Sequence, residues 1–269
     1  EYLKSLGSNW FNDDALLQRL LNHFSPAALD AQRGSLQGFG ETCAEVLAPL
    51  SQESGRPENA PYLRHFDAYR RRVDEIVLPE ATREAFRIVE GQHRLGVCHG
   101  DPFVFYSKVY MYVQNGEAGV GCSMACTDGM IRLLEALGDH PIHTEALNRV
   151  RNSTYDDYAH AAQFVTEIQG GSDAGANSVV AVEADGHWTL HGPKWFCSNI
   201  TADYFVVTAR PEGAPPGPRG VALFLVPAYQ SGTSGPRNGY VIERLKDKLG
   251  TRELPTAEVT FDGAKAYPI

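Results

Sequence analysis

The first part of the chain, to about residue 158, has the hydrophobic spacing of α-helices. Apolar residues recur at helical spacing near the start, and Asn12 or Asp13 could cap that helix: Trp10, Phe11, Leu16, Leu17, Leu20 and Leu21. Residues 64–90 predict one amphipathic helix that stops or kinks near Pro79. A further, mostly apolar helix is predicted over 117–137, with an acid at its start and Gly138 at its end.

After about residue 159 the pattern changes to short β-rich runs separated by turn residues. Asp185-Gly186 predicts a hairpin, and the Pro/Gly-rich stretch 211–219 predicts an exposed loop. The spacing of the runs, near ten residues, is typical of an antiparallel barrel or sandwich. The predicted strands are Gln163–Glu167, Val179–Glu183, Trp188–His191, Trp195–Ser198, Tyr204–Ala209, Val221–Val226, Tyr240–Leu245 and Ala257–Phe261.

The two patterns together predict an α+β multidomain protein. We expect an N-terminal all-α helical domain over residues 1–158 and a middle β-domain with a barrel or sandwich over residues 159–269. The 269 residues, of which 43% are hydrophobic and 21% charged, are enough for two modest domains.

Composition narrows the cellular setting. No run of about twenty apolar residues predicts a spanning helix, and residues 1–6 do not have the pattern of a secretory signal. The five cysteines are odd in number and unevenly spaced, which favours reduced thiols and a cytoplasmic location. A formal net charge of −9 argues against a nucleic-acid partner for this chain, although an acidic protein can still bind an anionic cofactor through backbone amides.

The candidate chemistry is concentrated in residues 163–173. A strand ends in the Thr166 hydroxyl and is followed by the turn Gly170-Gly171-Ser172-Asp173. Glycines allow backbone N–H groups to point into one concavity, and Ser172 adds a donor, so the segment could hold an anionic or carbonyl-rich ligand. Taken alone, the same letters also describe an ordinary Asx or type II turn after a strand.

Two further segments decide between these interpretations. About twenty residues later comes the aromatic-rich run 191–199, His-Gly-Pro-Lys-Trp-Phe-Cys-Ser-Asn. Residues 243–252, Glu-Arg-Leu-Lys-Asp-Lys-Leu-Gly-Thr-Arg, follow later and precede Glu-Val-Thr-Phe-Asp at 258–262. In order and spacing the three segments resemble the flavin-binding β-domain of the acyl-CoA dehydrogenase family, and their wording is most similar to its AidB-like branch.

The resemblance implies FAD as cofactor, held between the β-domain and a C-terminal helical domain. Phe164, Val165 and Thr166 would then lie along the isoalloxazine, with the Thr166 hydroxyl near its N5–C4 edge. Gly171 would belong to the cofactor-binding turn. Ser172 would reach the flavin pyrophosphate or the pantetheine arm of an acyl-CoA, which also makes it the expected substrate-binding residue.

The second segment contributes the remaining expected cofactor-binding residues. Phe196 would pack beside the ring, Ser198 would hydrogen-bond to the flavin, and Cys197 lies between them. Aromatic walls with a few hydroxyl and amide donors suit a flat redox ring whose reduced anion needs stabilisation.

The family reaction is α,β-dehydrogenation of an acyl-CoA thioester, in which a carboxylate base removes the α-proton and hydride passes to flavin N5. That base usually lies in the C-terminal helical bundle, and the chain ends at Ile269, where the β-domain would continue into that bundle. The expectation is therefore an incomplete fragment that is inactive by itself and whose catalytic base is unknown. Glu167 is expected to be structural.

The resemblance also implies partners and alternatives. The expected partners are an acyl-CoA or related small molecule, electron-transfer flavoprotein or O₂ as acceptor, and further copies of the chain in a homodimer or homotetramer of the full-length protein. No membrane partner is expected. One alternative is an acyl-CoA oxidase or nitroalkane-oxidase-like flavoenzyme in place of a dehydrogenase of fatty acid metabolism. The other is an AidB-like flavoprotein with a DNA-protection role and little dehydrogenase activity.

Other chemistry-bearing residues favour structural interpretations. No metal site is expected, since Cys122 and Cys126 share a helix face without a second ligand pair. His140 and His143 are interpreted as part of a loop. An acid–base role for His93 and His99 lacks a nucleophile, the arginines at 70–72 are expected on a solvated helix face, and Trp188 and Trp195 are expected in the barrel core.

Overall fold

The computed structural model describes residues 8–97, 101–231 and 235–269. The α-helices of the described residues precede the barrel strands. They are α1 (Ala15–Phe24), α2 (Pro26–Thr42), α3 (Ala48–Ser54), α4 (Glu80–Phe86), α5 (Pro102–Val113), α6 (Gly119–Leu137) and α7 (Pro141–Arg151). Two π-helical segments, Cys43–Leu47 and Arg87–Gln92, follow α2 and α4 without a break. No helix among the described residues is long and apolar enough to cross a membrane.

The strands are β1 (Tyr62–Phe66), β2 (Arg72–Val77), β3 (Ala161–Phe164), β4 (Val180–Ala184), β5 (His187–Ser198), β6 (Tyr204–Pro211), β7 (Ala222–Pro227), β8 (Tyr240–Leu245) and β9 (Thr256–Pro268). The main sheet runs β3-β6-β4-β5-β9-β7, and pairing of β6 with β7 closes it into a barrel, with β8 beside β9. Most pairs are antiparallel, whereas β6 is parallel to both β3 and β4. The predicted α+β architecture is confirmed.

Strand β5 joins two strands that the sequence pattern separates at Gly192-Pro193. Gly192 has a φ of 122°, and the pairing of β5 with β9 shifts register between Leu190 and His191. The sequence pattern indicated a break between two strands at this point. In the structure the same irregularity is a bulge within one twelve-residue strand. The Asp185-Gly186 hairpin forms between β4 and β5 as predicted.

Side chains cap the starts of several helices. Asp14 caps α1 by accepting the Leu17 N–H at 2.8 Å, so the prediction of Asn12 or Asp13 as cap was wrong by one or two residues. Helix α6 is confirmed, and Glu117 accepts the N–H groups of Gly119 and Val120 at its first turn. His140 and His143 were wrongly interpreted as a loop. They cap the start of α7, each accepting a backbone N–H through Nδ1.

The prediction of one helix over residues 64–90 was wrong. The region contains the β1–β2 hairpin, and only α4 and the following π-helical segment are helical. Asp67 specifies the turn because its carboxylate accepts the N–H groups of Tyr69 and Arg71 at 2.8 and 3.0 Å, while Arg70 adopts a φ of 63°. The arginines at 70–72 consequently lie at a hairpin end, not on a helix.

A buried carboxylate seats this hairpin on the barrel. Asp74 accepts the Ile242 N–H of β8 at 3.1 Å and the Arg72 Nε–H at 2.9 Å, and His65 Nδ1 lies 2.8 Å from its other oxygen. Asp74 holds a φ of 44°, in the left-handed region. Such cross-element partners cannot be read from local sequence periodicity.

The core divides between the helices, the barrel interior and the layer between α6, α7 and the sheet. Trp188 is partly buried and packs on Phe224, with ring centroids 5.7 Å apart. Trp195 was wrongly placed in the barrel core: its ring lies under the Lys246 ammonium, 3.0 Å from its centroid. No group of metal ligands occurs among the described residues. The interpretation of His99 concerns a position outside those residues.

Candidate flavin-binding surface

The structure brings the first two sequence motifs into direct contact. After β3 ends at Phe164, the chain continues beside β5, and the Trp195 N–H donates to the Thr166 carbonyl at 2.9 Å. Residues 165–167 and 194–198 thus form neighbouring backbone segments on one side of the barrel.

A buried lysine holds the two segments together. The Lys194 side chain has no exposed surface, and its ammonium donates to the Glu167 carboxylate at 2.8 Å and to the Val165 carbonyl at 3.1 Å. It also donates to Asn177 at 2.7 Å and to the Thr208 hydroxyl at 2.9 Å. A buried ammonium needs this many acceptors because its desolvation is costly. No role for Lys194 was predicted, although it lies within the aromatic-rich run 191–199.

Glu167, the ion-pair partner of Lys194, is an ionised carboxylate. Burial alone would raise the pKa of Glu167, but hydrogen bonds from Lys194 and Ser178 outweigh it and lower this pKa to about 2. The Ser178 hydroxyl and the Val179 N–H both donate to the carboxylate. An enclosed, ion-paired carboxylate with a low pKa is poorly suited to take a proton from a substrate, in agreement with a structural role.

The outer face of the two segments is apolar with polar edges. Val165 and Phe196 are 40% and 47% exposed, whereas Thr166 and Ser198 are half-buried. The Ser198 hydroxyl lies 3.0 Å from that of Thr256, and within the described residues nothing hydrogen-bonds to the Thr166 hydroxyl. We call this set, Val165, Thr166, Phe196 and Ser198, the motif face.

Phe164 and Cys197 point the other way. Both are fully buried, and the Phe164 ring packs on Phe205 with centroids 4.6 Å apart. Their chain neighbours Val165 and Phe196 are the exposed residues instead. At positions 164 and 197 only main-chain groups could therefore reach a ligand.

The glycine turn lies next to the motif face. Gly170 has a φ of 138°, and its N–H donates to the Glu167 carbonyl at 3.0 Å, so this N–H is already used within the turn. Gly171 and Ser172 are exposed. A Cβ at position 171 would lie 2.8 Å from the Thr166 hydroxyl oxygen, so a larger residue there would displace that hydroxyl.

Two lysines for which no role was predicted add positive charge beside the motif face. The Lys246 ammonium lies 4.7 Å from the Phe196 ring centroid and donates to Glu258 at 2.6 Å. Lys248 donates to the Thr256 hydroxyl at 3.0 Å. A cavity of about 210 Å³ lies between these lysines and residues 57–61. Hydroxyls, an aromatic wall and nearby ammonium groups form a donor set that fits an isoalloxazine ring.

Known proteins match the chain along most of its length. The middle domain of acyl-CoA dehydrogenases matches residues 162–264, and the N-terminal domain of the adaptive response protein AidB matches residues 4–157. The chain belongs to the acyl-CoA dehydrogenase family. Its matches cover the N-terminal and middle domains of that family.

Individual relatives agree. Acyl-CoA dehydrogenase family member 11 of Caenorhabditis elegans is 34% identical over 277 residues, covering 97% of this chain and 44% of the relative. AidB of Escherichia coli is 28% identical over 246 residues, covering 82% of this chain and 44% of that protein. The chain thus spans less than half the length of these curated relatives.

Solved structures show the same fold. The structure of C. elegans ACDH-11 in complex with C11-CoA superposes with a TM-score of 0.85 at 33% identity, covering 97% of this chain and 46% of that one. The apo-form of Bd2924 gives a TM-score of 0.88 at 31% identity, covering 97% of this chain and 54% of that chain.

Proposed function

We propose that the protein is an FAD-dependent oxidoreductase of the acyl-CoA dehydrogenase type, and that this chain supplies the β-domain side of its flavin site. The observation that carries the proposal is the joining of the two motif segments by Lys194, which leaves Val165, Thr166, Phe196 and Ser198 on one accessible face. Matches over residues 4–157 and 162–264 support a domain boundary near residue 158.

The proposed roles follow from position. Phe196 and Val165 provide apolar contact for the ring, and the Thr166 hydroxyl can donate to a ring nitrogen or carbonyl. Ser172, exposed on the turn, is proposed to contact the pyrophosphate or the pantetheine arm. Lys246 and Lys248 lie where positive charge would stabilise an anionic ligand. Bound FAD would supply the hydride acceptor for oxidation of the acyl group.

An acyl-CoA substrate is supported by the ACDH-11 complex with C11-CoA, a protein 33% identical to this chain. The proposed reaction is α,β-dehydrogenation, with electron-transfer flavoprotein or O₂ as the final acceptor. Oxygen consumption with an acyl-CoA would distinguish an oxidase from a dehydrogenase, because only the oxidase reoxidises its flavin with O₂ rapidly.

Titration of the chain with FAD tests the proposal by visible absorbance and by quenching of flavin fluorescence. Binding should weaken in Phe196→Ala, which removes the aromatic wall, but not in the matched control Val180→Ala, an exposed apolar residue outside the motif face. If FAD binds neither this chain nor a version extended to the length of its relatives, the proposal fails. Binding only to the longer version would mean that the site needs both sides.

The match to the AidB N-terminal domain over residues 4–157 favours a second candidate, an AidB-like flavoprotein with a DNA-protection role. The formal charge of −9 argues against DNA contact by this chain itself. A salt-dependent shift of DNA by the extended version, together with flavin that acyl-CoA fails to bleach, would favour this candidate over the dehydrogenase.

A further inference from the structure

A second buried cluster joins the helices to the same two motif segments. It consists of Glu90 in the π-helical segment after α4, Ser123 in α6, His160 just before β3, and Asn199 just after β5. All four are buried. The Ser123 hydroxyl lies 2.7 Å from the Glu90 carboxyl and 2.9 Å from His160 Nδ1, and Asn199 Nδ2 lies 3.0 Å from the same ring nitrogen.

The proton positions in this cluster can be worked out from one end. Asn199 Nδ2 also lies 2.9 Å from the Ala161 carbonyl oxygen, which can only accept, so the atom there must be the amide nitrogen. The same NH₂ group therefore donates to His160 Nδ1, and Nδ1 must be an acceptor. Burial lowers the pKa of His160 to about 3, in agreement with a neutral ring protonated on Nε2.

The remaining proton is that of Ser123. If Glu90 is ionised, the Glu90 carboxylate and His160 Nδ1 are both acceptors for this single hydroxyl hydrogen. Only one of them can receive it, and in the other contact two lone pairs would face each other. If Glu90 is a neutral acid, it donates to the Ser123 oxygen and Ser123 donates to His160 Nδ1. Every contact then pairs a donor with an acceptor: the single lone pair of His160 Nδ1 is shared by the Ser123 hydroxyl and the Asn199 amide, and the Glu90 carboxyl still accepts the Gly96 N–H.

The surroundings agree with a neutral acid. Among the described residues, Glu90 interacts electrostatically with Tyr112 of α5, Cys126 of α6 and Tyr158 in the connection before β3. None of them, nor His160, supplies a positive charge at neutral pH, in contrast to Lys194 beside Glu167. Burial raises the pKa of Glu90 to about 7, only partly offset by the bonds from Ser123 and Gly96.

We infer that Glu90 is a positioning residue whose carboxyl proton completes a relay, Glu90 to Ser123 to His160, that fixes the start of β3 against the end of β5. These two points, Ala161 and Asn199, flank the motif face. Loss of the proton leaves one of the two buried Ser123 contacts without a hydrogen bond, and this weakens the attachment of the helices to the barrel. The consequence for ligand binding rests on the proposed function, whereas the relay itself does not.

The test compares Glu90→Gln with Glu90→Ala by urea unfolding from pH 4.5 to 8, without ligand. A glutamine amide donates to Ser123 and accepts from Gly96 as the neutral acid does, so it should preserve stability where alanine does not. Because the folded-state pKa is raised, the wild-type advantage is complete below about pH 4.5 and is lost as pH rises through about 7. The wild type should therefore weaken relative to Glu90→Gln across that window.

Glu45→Gln is the matched control, since Glu45 is an exposed glutamate in the other π-helical segment. It should keep the wild-type pH profile. Asp203, whose pKa burial raises to about 6 and which accepts the His160 N–H, is common to all variants and cancels in the difference. At pH 6 the infrared band of protonated carboxyls should lose its Glu90 component in Glu90→Gln and Glu90→Ala but keep it in Glu45→Gln, while the contribution of Asp203 remains in every variant. A pH-independent gap, or a glutamine variant as unstable as the alanine one, would overturn the inference.

Discussion

Two buried carboxylates in this molecule have opposite protonation behaviour. Glu167 lies beside the Lys194 ammonium and has a pKa lowered to about 2, whereas Glu90 has only hydroxyl and amide partners and a pKa raised to about 7. Both side chains are almost completely excluded from solvent. Burial by itself therefore does not determine the charge of a carboxyl; the charge of its hydrogen-bond donors does.

Both carboxylates serve the same region by different means. Glu167 and Lys194 hold the motif segments together from inside the barrel, while the Glu90 cluster holds their outer ends against the helices. The first connection is ionic and should be insensitive to pH near neutrality. The second depends on a proton that neutral solution can remove.

The largest expected effect is that of Lys194→Met, which leaves Glu167 buried without a cation. We expect a loss of about 3–5 kcal/mol in the free energy of unfolding, measured by urea denaturation at pH 7. Adding Glu167→Gln should recover part of this loss, because the uncompensated charge is removed. Lys265→Met, at an exposed lysine, is the control; an equal loss there would refute the ionic role of Lys194.

The next effect is opposite pH dependence at the two sites. The folded-state pKa of Glu167 is depressed, so its contribution is complete above about pH 4.5 and is lost as pH falls through about 2. Glu90 loses its contribution as pH rises instead. Each change amounts to roughly 3 kcal/mol. The free energy of unfolding of Glu167→Gln should not fall in this acid range as that of the wild type does. A fall of the same size in this variant would assign it to other groups.

A smaller effect is expected at Asp74, a third buried carboxylate with partners of mixed kind. Asp74→Ala removes the acceptor for Arg72 and for the Ile242 N–H and should cost about 2 kcal/mol. Asp74→Gly loses the same hydrogen bonds but relieves the strain of the positive φ. The difference in unfolding free energy between the two variants therefore separates backbone strain from hydrogen bonding. Hydrogen exchange at Ile242 should rise in both variants.

The smallest effect concerns the motif face itself. Thr166→Val removes a hydroxyl that has no partner among the described residues, so stability should change by less than about 0.5 kcal/mol. If FAD accepts a hydrogen bond there, its Kd should increase about fivefold, equivalent to about 1 kcal/mol. Flavin fluorescence quenching measures this change. Unchanged affinity would remove Thr166 from the proposed site but would not affect the role of Lys194 in holding the two motif segments together.

Much of the architecture followed from pattern. The barrel strands recur near the predicted positions because alternating apolar residues and turn signals are local properties. The α6 prediction succeeded for the same reason, with an acid before it and Gly138 after it. The prediction for residues 64–90 failed because apolar residues there match a helical period by chance. The turn at Asp67 and the hydrogen bond from the Ile242 N–H of β8 to Asp74 favour a hairpin instead.

The proposed site could be predicted only in part. The motif letters singled out Val165, Thr166, Phe196 and Ser198, whose side chains are at least partly exposed, but could not show that Phe164 and Cys197 are buried. Inside and outside are assigned by the register of strands in the closed barrel, which a single segment does not contain.

The sequence by itself determined the class of this protein, because its hydrophobic periods and motif spacing are local and survive without a fold. The tertiary structure alone decided the charges. Lys194 meets Glu167 across 27 positions and Glu90 meets Ser123 across 33, so whether a buried carboxyl finds an ammonium or a hydroxyl depends on packing between distant segments.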